Sequence, residues 1–192
     1  MPEAQPNEHR AAEIMKFLGG AALGLAMHES GHLFFDAALD TNPRLEGIHF
    51  GPFPFFALTH DPGQSPREEF TISSAGFWVQ EATNEWLLSR RWCRDASTPC
   101  TFRDDHAAIA KGVFAFNVLN SVGYSIVAFA KAGPPERDTR GMSAIGVDER
   151  VIGAIVLAPA LLDAYRYFRP NSRTAAWLSR GVKIGSVLLV LR

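Results

Sequence analysis

An H-E-x-x-H set, Met27-His28-Glu29-Ser30-Gly31-His32-Leu33, interrupts the apolar run from Phe17 to Leu39. On a helix, histidines spaced i, i+4 project from one face a turn apart, so both imidazoles can reach a single Zn²⁺. Glu29 follows the first histidine and stands off that face. Its carboxylate is left to take a proton from a metal-activated water as that water attacks a carbonyl. The pattern points to metal-dependent peptide hydrolysis. The competing reading is a hydrogen-bonded structural cluster, the commoner fate of a core histidine. Two histidines and a glutamate inside one apolar helix need a compensating partner, since bare burial costs on the order of several kcal/mol. A zinc ion supplies one.

With 192 residues the chain suits a single domain, 1–192, with residues 1–10 expected as a disordered tail. Its 19 basic residues balance 20 acidic ones, which gives no footing for a nucleic-acid partner. The apolar share of 47% leaves the membrane question to run length and periodicity. Cys93 and Cys100 share one short polar loop and match no common zinc module, so two ordinary thiols are expected. Arg10 and Lys16 precede an apolar stretch as in a signal peptide, but that stretch runs on past the histidines without a cleavage site. A retained helix is expected.

That first helix is expected from about Ala11 to Leu39, with Gly19, Gly20 and Gly24 allowing close packing of a bilayer-spanning segment. Asp36 and Asp40 lie further along it and read as solvated acids near its end. The stretch Leu45 to His60, with Pro52 and Pro54, breaks helix periodicity and suits a strand-like insert at 45–60. Its edge could take an extended peptide as an added strand. His49 and His60 there lack metal-ligand spacing. A second helix is expected from Glu68 or Glu69 to Arg90, where Glu81 and Glu85 are third-ligand candidates or solvated acids facing Arg90-Arg91. A third helix, about Ala107 to Lys131, contains the uncharged run Gly112 to Ala130, long enough to span a bilayer. Asn117 and Asn120 interrupt it, either as glue between helices or to bind a substrate backbone and oxyanion. Asp138 heads a short segment after two prolines, and Asp148 reads as the start of a helix over Glu149 to Phe168. A last helix is expected over Thr174 to Leu191. The fold class expected is an all-α multi-pass membrane helical bundle, about five apolar helices with a short β-like insert after the first.

HESGH in the first apolar helix, IHFGPFPFF as an insert, the small-residue stretch FTISSAGFWVQ, and Asn117 or Asn120 in a later span occur in that order. Together they resemble the site-2 protease family of membrane-embedded zinc metalloproteases, over about His28 to Asp138. The resemblance implies His28 and His32 as Zn²⁺ ligands, Glu29 as catalytic base and a downstream aspartate as third ligand. The family's Leu-Asp-Gly is absent here. Asp138, in ERDTRGM, is the first choice because it heads a helix, and Asp163, in APALLDAYR, is the second. Asn117 and Asn120 are the implied substrate-binding residues. The resemblance further implies a lipid bilayer as environment, a bacterial inner membrane as location, and a membrane protein or peptide as substrate. Two other readings stand beside it: a non-catalytic membrane binding or scaffold protein that keeps the framework, and a soluble helical protein with a structural metal.

Overall fold

A computed structural model describes residues 6–50, 53–63, 65–90, 102 and 107–188. Helix α1 (Pro6–Leu39) leads into a hairpin of β1 (Arg44–Phe50) and β2 (Phe53–Thr59). Then come α2 (Pro66–Ser89), α3 (Ala108–Ala130), a short α4 (Asp138–Met142), a 3-10 turn (Ser143–Ile145), α5 (Glu149–Phe168) and α6 (Arg173–Leu188). The insert is an antiparallel pair, with Arg44 opposite Thr59 and Gly47 opposite Phe56. α1 begins at Pro6 rather than Ala11, so it takes in part of the stretch expected as a disordered tail. Cys93 and Cys100 lie outside the described residues.

Local sequence sets the boundaries. Asp40 and Asn42 adopt positive φ at the end of α1, a conformation that short polar side chains tolerate, and this turns the chain into β1. Ser65 caps α2 by accepting from the Glu68 N–H at 3.2 Å, with Pro66 in the first turn. α2 thus starts ahead of the expected Glu68. Asp148 caps α5 through the Arg150 N–H at 2.9 Å, as expected.

Glycine decides how closely α1 approaches its neighbours. A β-carbon on Gly20 would fall 2.0 Å from the Ile109 carbonyl oxygen, and one on Gly112 would fall 2.0 Å from that of Phe17. The backbones of α1 and α3 therefore touch at reciprocal glycines, the small-residue packing expected of apolar helices. Gly24 makes room for the Phe116 side chain, 2.8 Å from where a β-carbon would stand, whereas Gly19 meets nothing. α2 closes on the other flank of α1, and α5 and α6 follow from α3. One apolar core joins Phe70 and Phe77 of α2 to Met142 of α4 and to Ile152 and Val156 of α5.

Among the described residues, α3 and α5 are long and apolar enough to cross a membrane. That is fewer than the five or so apolar spans expected. α1 carries Lys16, Glu29 and Asp36, α2 carries Glu81 and Glu85, and the described part of α6 spans 16 residues. α6 also faces the opposite way from a helix on a water-soluble protein. Its Ser179 and Lys183 are buried, while Trp177 and Ile184 are 73% and 61% exposed.

Candidate metal centre

The helix spacing does what the motif requires: His28 and His32 come off one buried face of α1, with their Nε2 atoms 3.2 Å apart. Asp138 reaches them from the head of α4, its Oδ2 lying 3.1 Å from His28 Nε2 and 3.5 Å from His32 Nε2. Three nitrogen and oxygen donors about 2.0–2.1 Å from a tetrahedral centre would be separated by about 3.3 Å. The three observed separations bracket that value, so the donor set fits a small tetrahedral cation. Two imidazoles and one carboxylate, leaving a fourth position, are also the donor chemistry of a catalytic rather than a structural zinc site. His28, His32 and Asp138 form a group that could hold a metal ion.

The surroundings orient these donors. His32 Nδ1 lies 2.8 Å from the Ile72 carbonyl oxygen, which can only accept, so Nδ1 carries a hydrogen and, in the neutral ring, Nε2 is the nitrogen with the lone pair a metal needs. Asp138 is held by the residues beside it. Arg137 donates to both Glu149 oxygens, at 2.6 and 2.7 Å, and Thr139 donates to Glu149 at 2.9 Å, which fixes the head of α4 to the start of α5. Burial pushes the Asp138 carboxyl up, but the His32 and His28 imidazoles outweigh it and hold the group well below the usual carboxylate range. The Tyr124 ring lies 6.1 Å from that of His28.

His28 fits only because Gly76 has no side chain. A β-carbon there would lie 2.4–2.6 Å from three atoms of the imidazole. Gly76 belongs to the small-residue stretch on which the family resemblance partly rests. Gly76→Ala is expected to displace the ring and weaken metal binding about 10- to 100-fold, the usual cost of losing a supporting contact. Competition against a chelator measures this, with circular dichroism as the check on folding.

The donors line a cavity of about 570 Å³ together with Glu29, Asn120 and Tyr124, and with Ile48, Phe56 and Leu58 from the hairpin. Asn120 Nδ2 is buried there with no acceptor among the described residues. Asn117 is placed differently: its amide donates to Asn84 Oδ1 at 2.9 Å, so it joins α3 to α2 and does not line this cavity. The remaining third-ligand candidates lie in another cluster. Asp163 accepts from Ser179 at 2.7 Å and pairs with Lys183 at 2.8 Å. Glu85 pairs with Arg166, Arg180 and Lys183, and Glu81 accepts from Ser186 at 3.1 Å. Their partners among the described residues include cations and hydroxyls of α5 and α6. His49 is exposed and outside the donor group.

Sequence reasoning missed one polar cluster. Asp36, expected to be solvated, is 0% exposed and accepts from Thr41 Oγ1 at 2.6 Å. His60 stands between two acids, its Nδ1 3.6 Å from Asp36 and its Nε2 3.2 Å from Glu69. The signal was present: Asp36 follows His28 and His32 at the same one-turn interval and so shares their buried face. Hydrogen bonding to Glu69 raises His60 above its ordinary 6.5, and the same bond lowers Glu69 below its ordinary 4.5. The histidine's contribution to stability is complete below 6.5 and is lost as pH rises through its raised folded value. The glutamate's is present above 4.5 and is lost as pH falls through its lowered one. The end of β2 is therefore anchored most firmly between those limits. Amides of β2, corrected for intrinsic rates, are expected to exchange faster at about pH 9 than at about pH 6, and His60→Gln is expected to remove the difference.

No family model matches this chain, and no curated protein or solved structure matches it.

Proposed function

We propose that the chain is a zinc-dependent endopeptidase of the site-2 protease kind, cleaving peptide segments in or beside a lipid bilayer. One observation carries the reading: His28, His32 and Asp138 bring ligand atoms within 4.8 Å of one another, in a cavity that Glu29 also lines. When bound there, zinc supplies a Lewis acid that polarises a carbonyl and lowers the pKa of water to about 7. His28 and His32 would hold it through Nε2 and Asp138 through its carboxylate. Glu29 accepts the proton that water gives up and returns it to the departing amine. The Asn120 amide donates to a carbonyl of the substrate, which fixes the scissile bond against the donors. An extended chain is needed, because a helix hides its carbonyls, and β2 offers an edge for it in this two-stranded sheet.

Lipid as the surrounding solvent is supported by the surface. In α3 and α5 only 33% and 39% of the most apolar window is buried inside the protein, too little for core helices of a water-soluble domain. The outward apolar face of α6 agrees, since a helix that buries lysine and serine while exposing tryptophan and isoleucine matches an apolar exterior. We read the protein as integral and multi-pass, a placement that carbonate extraction of membranes tests by retention in the pellet.

The test of the activity is direct. Protein purified in detergent is expected to carry stoichiometric zinc, to cleave unstructured apolar peptides, to stop on removal of the metal by a chelator and to recover when zinc is restored. Protein that binds no zinc overturns the reading. Zinc-loaded protein with no turnover would mark a scaffold that keeps only the framework.

A further inference from the structure

Two cavities, of about 560 and 570 Å³, meet at the donor set and share His32, Leu58, Glu136, Arg137 and Asp138. β2 runs along both. Phe56, Ala57 and Leu58 line the larger, and Leu58, Thr59 and His60 line the smaller. A strand laid beside β2 would therefore pass from one cavity into the other across the His-His-Asp group.

The two halves of this groove differ in chemistry. The larger is walled by Leu25, Phe116, Leu119 and Val127 of α1 and α3. The smaller is walled by Ser65, Glu69 and Ser73. The cations of the smaller half are already engaged: Arg137 donates through Nε and Nη2 to Glu149 and through Nη1 to the Pro134 carbonyl, and His60 is shared between Asp36 and Glu69. Glu136, exposed at the rim between the two halves, has no ion pair among the described residues. A basic side chain entering the smaller half meets unspent negative charge, and an acidic one meets like charge.

We propose that this groove selects an extended segment with apolar side chains on one side of the donor set and lysine or arginine on the other. The inference rests on the peptidase reading, for which it names the substrate class. An apolar run ending in basic residues is the composition found where a membrane-spanning segment leaves the bilayer.

Zinc-loaded Glu29→Gln protein in an uncharged detergent provides a binding assay without turnover. Fluorescent peptides would join a fixed apolar half to Lys-Lys, Ser-Ser or Glu-Glu, in both chain directions, with affinity read by anisotropy. In the preferred direction the Lys-Lys peptide is expected to bind about fivefold more tightly than Glu-Glu, the scale of an exposed ion pair against a like-charge contact. Raising the salt is expected to shrink that ratio, and Glu136→Lys to reverse it. Replacing the apolar half with serine is expected to weaken binding at least about tenfold. Equal affinity for Lys-Lys and Glu-Glu peptides, or a ratio unmoved by Glu136→Lys, overturns the inference. Turnover by the unsubstituted protein separates the two claims. Cleavage at equal rates with either charge sinks the selectivity and leaves the peptidase, whereas preserved binding preference without cleavage sinks the peptidase and leaves a selective groove.

Discussion

Glu29→Gln is expected to keep stoichiometric zinc and to lose about 10²–10⁴-fold in kcat, the range a positioned general base contributes. The two halves of that expectation come from different observations. Zinc retention follows from the donor group, which consists of His28, His32 and Asp138 and does not need Glu29. Loss of turnover follows from the position of Glu29, which lines the same cavity as the donors and feels the charges of all three. Glutamine matches glutamate in size and keeps an acceptor oxygen, so packing and water binding survive, but it cannot take a proton at neutral pH. Metal analysis beside single-turnover cleavage separates the halves. A variant that loses zinc would make Glu29 a ligand, and a variant that keeps both zinc and turnover would assign the proton transfer to another group.

How much of this could be read in the sequence depends on the range of each interaction. The helices and the insert follow from local pattern: apolar periodicity, prolines at 52, 54, 134 and 135, and the cap at Asp148. The pairing of His28 with His32 is local too, fixed by helix geometry alone. The third member of the group is not. Asp138 and Asp163 both stand in helical segments, and only the docking of α4 by the Arg137–Glu149–Thr139 contacts tells them apart. The same limit explains Asn117 and Asn120. Three positions apart on α3, they differ by which neighbour faces them: Asn84 opposite one, the cavity beside the other. Asp36 differs again: its distance along the axis keeps it out of the donor group, but one turn beyond His32 it shares the histidines' buried face and is closed off from water. Gly76 shows the converse case, in which a small-residue stretch was visible as a pattern but its purpose, room for the His28 ring, depends on how α2 lies against α1.

Removing a donor should therefore have a larger and more selective effect than removing any supporting contact. His28→Ala, His32→Ala and Asp138→Ala are each expected to weaken zinc binding by more than about 100-fold, the upper end of what loss of a supporting partner costs. Asp163→Asn serves as the contrast, because Asp163 was the other aspartate compatible with the motif. In the fold it neutralises Lys183, with a carboxylate–ammonium distance of 2.8 Å, and accepts from Ser179. Its loss leaves a buried ammonium without that partner, a defect worth about 3–5 kcal/mol when a buried pair is broken. Glu85 also faces Lys183, at 3.4 Å, and would offset part of that cost. Asp163→Asn is thus expected to lower the unfolding midpoint while its zinc affinity, measured on the folded protein, stays at the parent value. Asp138→Ala costs the metal one of its three donors, and because the two imidazoles stabilise that carboxylate in the fold it is expected to lower the unfolding midpoint as well, so zinc affinity is the quantity that separates the two variants. Isothermal competition with a chelator, paired with thermal unfolding of the same samples, reads both quantities. Parent-like zinc affinity in Asp138→Ala together with loss in Asp163→Asn would mean that α5, not α4, supplies the carboxylate, and the geometry on which the mechanism depends would have to be abandoned.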